Sequence, residues 1–174
     1  IVQSENVDFI YEVPVKLQEQ GLDEYVLHKL SLEGKPIVKN AWKEMIDSYR
    51  NVKDELEIGL VGKYVQLHDA YLSVSQALID AGYKNAHKIN IRWINSEEVT
   101  EENTKELFNG LDGIIVPGGF GGRGIEGMIA TSKYARENNI PYFGICLGMQ
   151  IAIIDIARNI ANLNGADSTE KDEN

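Results

Sequence analysis

Four times after residue 54, a short apolar or alternating run gives way to a stretch with helical spacing, and that rhythm limits what the chain can fold into. The runs are "ELEIGLVGKYV" (55–65), "HKINIRWI" (87–94), "DGIIVPGG" (112–119) and "PYFGIC" (141–146). Each is bounded by polar residues, glycine or proline, as strands are. The stretches "HDAYLSVSQALIDAG" (68–82), "SEEVTEENTKELFNG" (96–110), "GIEGMIATSKYARENN" (124–139) and "GMQIAIIDIARNIANLNG" (148–165) predict helices. In the first of them Tyr71, Val74, Leu78 and Ala81 share a face, and Gly82 marks the stop. Strands joined through helices run parallel, so the expectation is an α/β domain with a parallel sheet covered on both faces. Ligands of such sheets sit beyond the carboxyl ends of the strands, which gathers the loops at 65–68, 117–124 and 146–148 around one site.

The first 50 residues lack this rhythm. Residues 12–30 predict two short helical pieces broken at Gly21, and Pro36 opens a third in which Ile37, Ala41, Met45 and Tyr49 share a face. This segment reads as a mainly helical appendage, or the end of another domain, joined by "YRNVKDE" to the α/β unit. With 174 residues, 43% of them hydrophobic, the chain can bury the core of one domain with such an appendage. Its 17 Lys and Arg against 27 Asp and Glu give a net charge of −10, which excludes a general nucleic-acid or membrane-surface role, because both need a positive footprint. The acidic cluster around 97–106 reads as a solvated helix face. No apolar run approaches the roughly 20 residues of a membrane span. A single cysteine cannot form an internal disulfide, and no secretion signal opens the chain, so a cytoplasmic location is expected.

That cysteine carries the chemistry. Gly144-Ile145-Cys146-Leu147-Gly148 stands where a strand runs into a helix, the form of a nucleophile elbow with cysteine in place of the familiar serine. The turn exposes the sulfur, and the positive end of the following helix favours a thiolate. The competing reading makes Cys146 a small buried hydrophobe; the paired glycines and the helix start favour the elbow. One strand earlier, "VPGGFGGRG" (116–124) leaves bare amides at the same sheet edge. Amides of Gly118 or Gly119, with the Leu147 amide as second donor, could form an oxyanion hole for a tetrahedral adduct. Alone, such a loop would equally suit phosphate binding or a turn; beside an elbow it points to acyl transfer through a thioester. A general base is harder to find. His28 lies in the appendage, His68 follows the first strand and His87 precedes the second, so all three read as surface or structural, His68 being the nearest to a site residue.

The phrases "GLVGKYVQLHDAYLSV", "GLDGIIVPGGFGGRGIEGMI", "ARENNIPYFGICLGMQ" and "ADSTE" together resemble the CTP synthase family, specifically its class I glutamine amidotransferase domain, and "IYEVPVKLQEQGLDEYVLHKL" resembles the last part of that family's synthetase domain. The resemblance covers nearly the whole chain up to Glu170. It implies a flavodoxin-like fold, C-terminally incomplete, with 1–35 the end of the synthetase domain, 36–54 the interdomain helix and linker, and 55–174 a partial amidotransferase domain. It further implies a ligase that phosphorylates the 4-oxygen of UTP with ATP and Mg²⁺ and displaces the phosphate with ammonia from glutamine. Carried over by position, Cys146 is the nucleophile, and Gly118, Gly119 and Leu147 hold the oxyanion. Gly119, Phe120, Gln150 and Glu170 would meet glutamine. Phe120 and Arg123 are candidates for GTP, the family's allosteric activator, and no residue here is expected to bind a metal. Homotetramers are implied as well.

Departures from the family pattern limit the expectation. The family continues past "STEKDEN" to a His-Pro-Glu motif that supplies the base, and no G-x-x-x-x-G-K-[ST] loop occurs here. The chain by itself is therefore expected to bind glutamine without turning it over. A non-catalytic interaction module, or another cysteine hydrolase on a flavodoxin-like sheet, are the alternative readings.

Overall fold

A computed structural model describes residues 1–32, 40–52 and 54–169. The chain forms two compact units, Ile1–Val52 and Lys53–Asn174. In the first, helices α1 (Val13–Glu19), α2 (Leu22–Lys29) and α3 (Asn40–Arg50) follow one another, with Gly21 at φ +76° breaking α1 from α2 as the sequence predicts. Phe9 is buried with its ring stacked on Tyr49 at 3.8 Å, and the Trp42 indole N–H donates to the Tyr11 carbonyl at 2.8 Å. The inward residues of α3 are Met45, Ile46 and Tyr49, whereas Ala41 is exposed, so the face is rotated from the expected one. Pro36 and Ile37 lie outside the described residues.

The second unit alternates as the sequence predicts: β1 (Asp54–Gly62), α4 (Leu72–Lys84), β2 (His87–Asn95), α5 (Thr104–Leu107), β3 (Gly113–Val116), α6 (Ile125–Glu137), β4 (Tyr142–Gly144) and α7 (Leu147–Asn159). All four strands are parallel in the order β2-β1-β3-β4, with Ile58 opposite Ile91 on one side and Gly113 on the other. The order reverses between β2 and β3, on either side of β1, which opens a crevice beyond its carboxyl end. Because side chains alternate along a strand, β1 sends Leu60 to one core and Val61 to the other. Leu60, Tyr71 and Ile115 pack with Val74 and Leu78 of α4. Val61, Ile94 and Val116 pack with Met128 of α6 and Ile151 of α7. Helices therefore cover both faces, as expected.

Three helical expectations need correction. Helix α4 passes through Gly82 to Lys84, and Ala81 is exposed. A Cβ at Gly82 would stand 2.4 Å from Ile89 Cγ1 and 2.7 Å from the His87 carbonyl, so this glycine serves close packing on β2 rather than termination. Segment 96–110 holds only a 3₁₀ turn at Ser96–Glu98 and the single turn of α5. There the Asn95 side chain accepts from the Glu97 amide at 3.2 Å, and Asn103 accepts from the Thr100 amide at 2.8 Å while donating to the Glu98 carbonyl at 2.7 Å. Asparagine side chains that satisfy nearby backbone compete with the helix. Helix α7 ends at Asn159 instead of reaching 165, and the chain turns back so that Arg158 donates to the Ala166 carbonyl at 2.6 Å.

Candidate active site

The peptide between β4 and α7 makes a sharp turn at Cys146, whose φ is +52° and ψ −104°. A non-glycine residue there costs about 1–3 kcal/mol of backbone strain, so the surroundings must hold it. They do so through close approach. A Cβ at Gly144 would lie 2.3 Å from the Gly148 carbonyl, and one at Gly148 would lie 2.0 Å from the Val116 carbonyl. Strand β4, the first turn of α7 and the end of β3 thus meet backbone to backbone, which glycine alone permits. The Ile145 amide donates to the Val116 carbonyl at 2.9 Å, the Gly148 amide to Ile145 at 2.9 Å, and the Tyr142 hydroxyl to the Gly148 carbonyl at 2.8 Å. Burial, helped by the Asp155 carboxylate, pushes the Tyr142 hydroxyl well above the usual phenol range and keeps it a donor. Cys146 is exposed, contrary to the packing reading, while Leu147 and Gly148 behind it are buried.

The glycine-rich loop stands against this elbow. A Cβ at Gly118 would be 3.6 Å from Cys146 Cβ, and one at Gly119 would be 3.4 Å from Leu147 Cδ2. As the first helical residue, Leu147 carries an amide that the helix cannot bond internally. Gly118 therefore stands beside Cys146 and Gly119 beside Leu147, whose helix-start amide is the next backbone donor after the cysteine. Phe120, 83% exposed, projects from the loop. Arg123 is tied back: it pairs with Glu97 at 2.6 Å, donates to the Lys63 carbonyl at 3.4 Å, and lies over the Tyr64 ring. A cleft of about 240 Å³ opens beside it, lined by Lys63, Tyr64, Asn95, Glu97 and Arg123 among others.

Gln150, one turn into α7, is half-buried and accepts at its side-chain oxygen from the Ser168 hydroxyl at 2.8 Å. That bond returns the "ADSTE" stretch to the elbow; Glu170 itself lies outside the described residues. His28 belongs to the first unit; within the second, His68 lies flat on the Trp93 ring at 4.1 Å, and His87, at the opposite end of the sheet, contacts the Asn85 carbonyl through Nδ1 at 2.6 Å. Lys63 and Ser168 were not among the residues the motifs singled out. Both belong to quoted phrases, "GKYV" and "ADSTE", but a lysine closing a strand and a serine in a loop look like solvated residues.

A family model described as glutamine amidotransferase class-I matches residues 66–173. The chain belongs to the class I glutamine amidotransferase family. Among curated relatives of this amidotransferase, the CTP synthase of Bacillus subtilis is 52% identical over 172 residues, covering 99% of this chain and 32% of that protein. The CTP synthase of Methanocaldococcus jannaschii is 50% identical over 180 residues, covering 100% and 33%. Among solved structures, the glutaminase domain of Trypanosoma brucei CTPS with bound acivicin matches with a TM-score of 0.63 and 42% identity, over 68% of this chain and 46% of that one. The chain spans about a third of the length of the curated relatives it matches.

Proposed function

We propose that this chain is the glutamine-attacking portion of a CTP synthase, with Cys146 as the nucleophile. Sulfur adds to the side-chain carbonyl carbon of glutamine, and the oxyanion is met by the amides of Gly118 or Gly119 and of Leu147. Collapse breaks the carbon–nitrogen bond, ammonia leaves with the thiol proton, and a glutamyl thioester remains. Water then attacks the thioester, releasing glutamate and restoring the thiol. The observation that carries this reading is the exposed, strained Cys146 set against Gly118. Gln150, Gly119, Phe120 and Glu170 are assigned to the bound glutamine, with Ser168 orienting Gln150.

The rest of the assignment follows from the relatives. Residues 1–35 are proposed as the end of a synthetase domain, 36–54 as the interdomain segment and 55–174 as part of the amidotransferase domain. UTP, ATP and GTP as ligands, a cytoplasmic site and a homotetramer belong to the same reading. Among the described residues no group of three or more His, Cys, Asp or Glu could hold a metal ion, and the sequence has no G-x-x-x-x-G-K-[ST] loop, so ATP and Mg²⁺ are assigned to the part of the relatives that this chain does not cover. Exposed Phe120 suits stacking on a guanine, and Arg123 can meet a phosphate once it exchanges Glu97. No helix among the described residues is long and apolar enough to cross a membrane.

The test is mass spectrometry of the chain after incubation with 6-diazo-5-oxo-norleucine, a glutamine-like electrophile, beside a Cys146→Ala control. One adduct on Cys146, blocked by excess glutamine, is expected. Labelling that glutamine does not block would make Cys146 a generic exposed thiol and end the glutaminase reading.

A further inference from the structure

Lys63 directly follows β1 and is only 4% exposed, unusual for a lysine, which is seldom buried without partners. Its Nζ donates to the Phe120 carbonyl at 3.0 Å and to the Gly121 carbonyl, across 57 and 58 residues of sequence. Its stem runs along Gly119: a Cβ there would meet Lys63 Cδ at 3.6 Å and Cε at 3.7 Å. Its own amide is 3.2 Å from the Tyr71 hydroxyl, and its carbonyl receives Arg123. Every polar group of Lys63 thus fastens the end of β1 to something, and the ammonium goes entirely to the loop that carries Gly118 and Gly119.

We propose that Lys63 is a positioning residue for the acyl-transfer site, its ammonium holding the Phe120 and Gly121 carbonyls so that Gly118 stays beside Cys146 and Gly119 beside Leu147. The loop needs such a hold. Its glycines have wide backbone freedom, Gly121 and Gly124 sit at φ +74° and +69°, and Phe120 is in solvent. Bonds from an ammonium to carbonyls are stronger than neutral ones. Among the loop's other ties, the Arg123–Glu97 pair is exposed and holds the loop weakly. Burial lowers the lysine's pKa, with nearby Arg123 acting in the same direction and Glu97 opposing it, so burying this ammonium has a cost that its bonds to the two carbonyls offset. Lys63 touches no substrate atom in this account; it acts through the loop.

The inference rests on the glutaminase reading for its chemical consequence but not for the loop hold, and the experiment separates the two. Wild type, Lys63→Met and Lys63→Arg are compared by the rate of Cys146 labelling with 6-diazo-5-oxo-norleucine, the rate with iodoacetamide, and amide hydrogen exchange over residues 117–124. Lys63→Met keeps the apolar stem without the charge. It is expected to slow the glutamine-like reagent about a hundredfold, the size of a lost or misplaced oxyanion donor. Iodoacetamide, which needs no oxyanion hole, should change less than about twofold, and exchange in 117–124 should quicken while α4 and α7 are unchanged. Lys63→Arg, which restores donors, should recover part of both effects. If Lys63→Met does not fold, Lys63→Arg and Lys63→Gln are read against wild type in the same way. An unchanged reagent ratio with unchanged loop exchange overturns the proposal. If the wild type itself is not labelled, the glutaminase reading fails, and loop exchange alone decides whether Lys63 holds the loop.

Discussion

Two kinds of residue make this site, and only one could be read from sequence. Gly144, Cys146 and Gly148 announce themselves because a backbone-to-backbone contact excludes every other side chain at both glycines, and the spacing records that exclusion. Gly118 is legible for a related reason, since consecutive parallel strands end at the same edge. Tyr142 and Lys63 were not legible, because what makes them unusual is burial against distant polar groups. Both leave a mark on stability at alkaline pH. Burial holds the hydroxyls of Tyr142 and Tyr71 above the ordinary tyrosine range, so their unfolded forms ionise first, near pH 10. Above that pH the unfolded chain binds fewer protons, and stability falls as pH rises. Lys63 has the opposite sign: its folded form releases a proton before its unfolded form does, so stability gains with pH just below about pH 10.4. The urea midpoint is therefore expected to decline above about pH 10 in wild type and more gently in Tyr142→Phe. Equal slopes in the two proteins would mean that Tyr142 is not held neutral by the fold.

At the level of elements, the strands were legible and the helices only partly. The runs at 112–119 and 141–146 predicted β3 and β4; β3 is buried throughout, as a nearly continuous apolar segment should be, whereas β4 exposes Phe143. The stretch 96–110 misled because acidic residues at helical spacing carry no apolar stripe, and Asn95 and Asn103 had side chains ready to bond the backbone. What sequence could not show is how α7 is held in place, and this matters because α7 begins immediately after Cys146. Asp155, 1% exposed, accepts from Arg136 Nε at 3.1 Å and Nη2 at 3.0 Å, from Ser132 at 3.2 Å and from Asn159 at 2.9 Å, linking α6 to α7. The two partners are unequal, for Arg136 reaches solvent and Asp155 does not. Arg136→Met strands a buried carboxylate and is expected to cost about 3–5 kcal/mol. Asp155→Asn leaves a neutral amide that still meets Ser132 and a cation that can be hydrated, so about 1–3 kcal/mol is expected. Urea unfolding of both variants measures the order, and a costlier Asp155→Asn would show that the cation, not the carboxylate, is the buried charge that matters.

For the whole molecule, two opposing surface properties decide how the isolated chain behaves. Its net charge of −10 makes copies repel. Against this, β4 is an edge of the sheet among the described residues, with Phe143 exposed, and α7 with the residue after it exposes Met149, Ile153, Ile156 and Ile160 at spacings of four, three and four, a single stripe. Apolar patches of that extent attract apolar dyes and other copies. Charge repulsion fades once the screening length drops to about 10 Å, near 0.1 M salt, whereas apolar attraction does not. Association of the chain, followed by sedimentation, is therefore expected to rise with salt, together with bound anilinonaphthalene sulfonate. The double variant Ile153→Glu, Ile160→Lys adds one charge of each sign and leaves the net charge at −10, so any change must come from the stripe. It should bind less dye and stay monomeric at 0.5 M salt, with its unfolding free energy within about 0.5 kcal/mol of wild type because both positions are exposed. Dye binding equal to wild type would place the attraction elsewhere, and association that falls as salt rises would mean that complementary charges, not the α7 stripe, bring copies together.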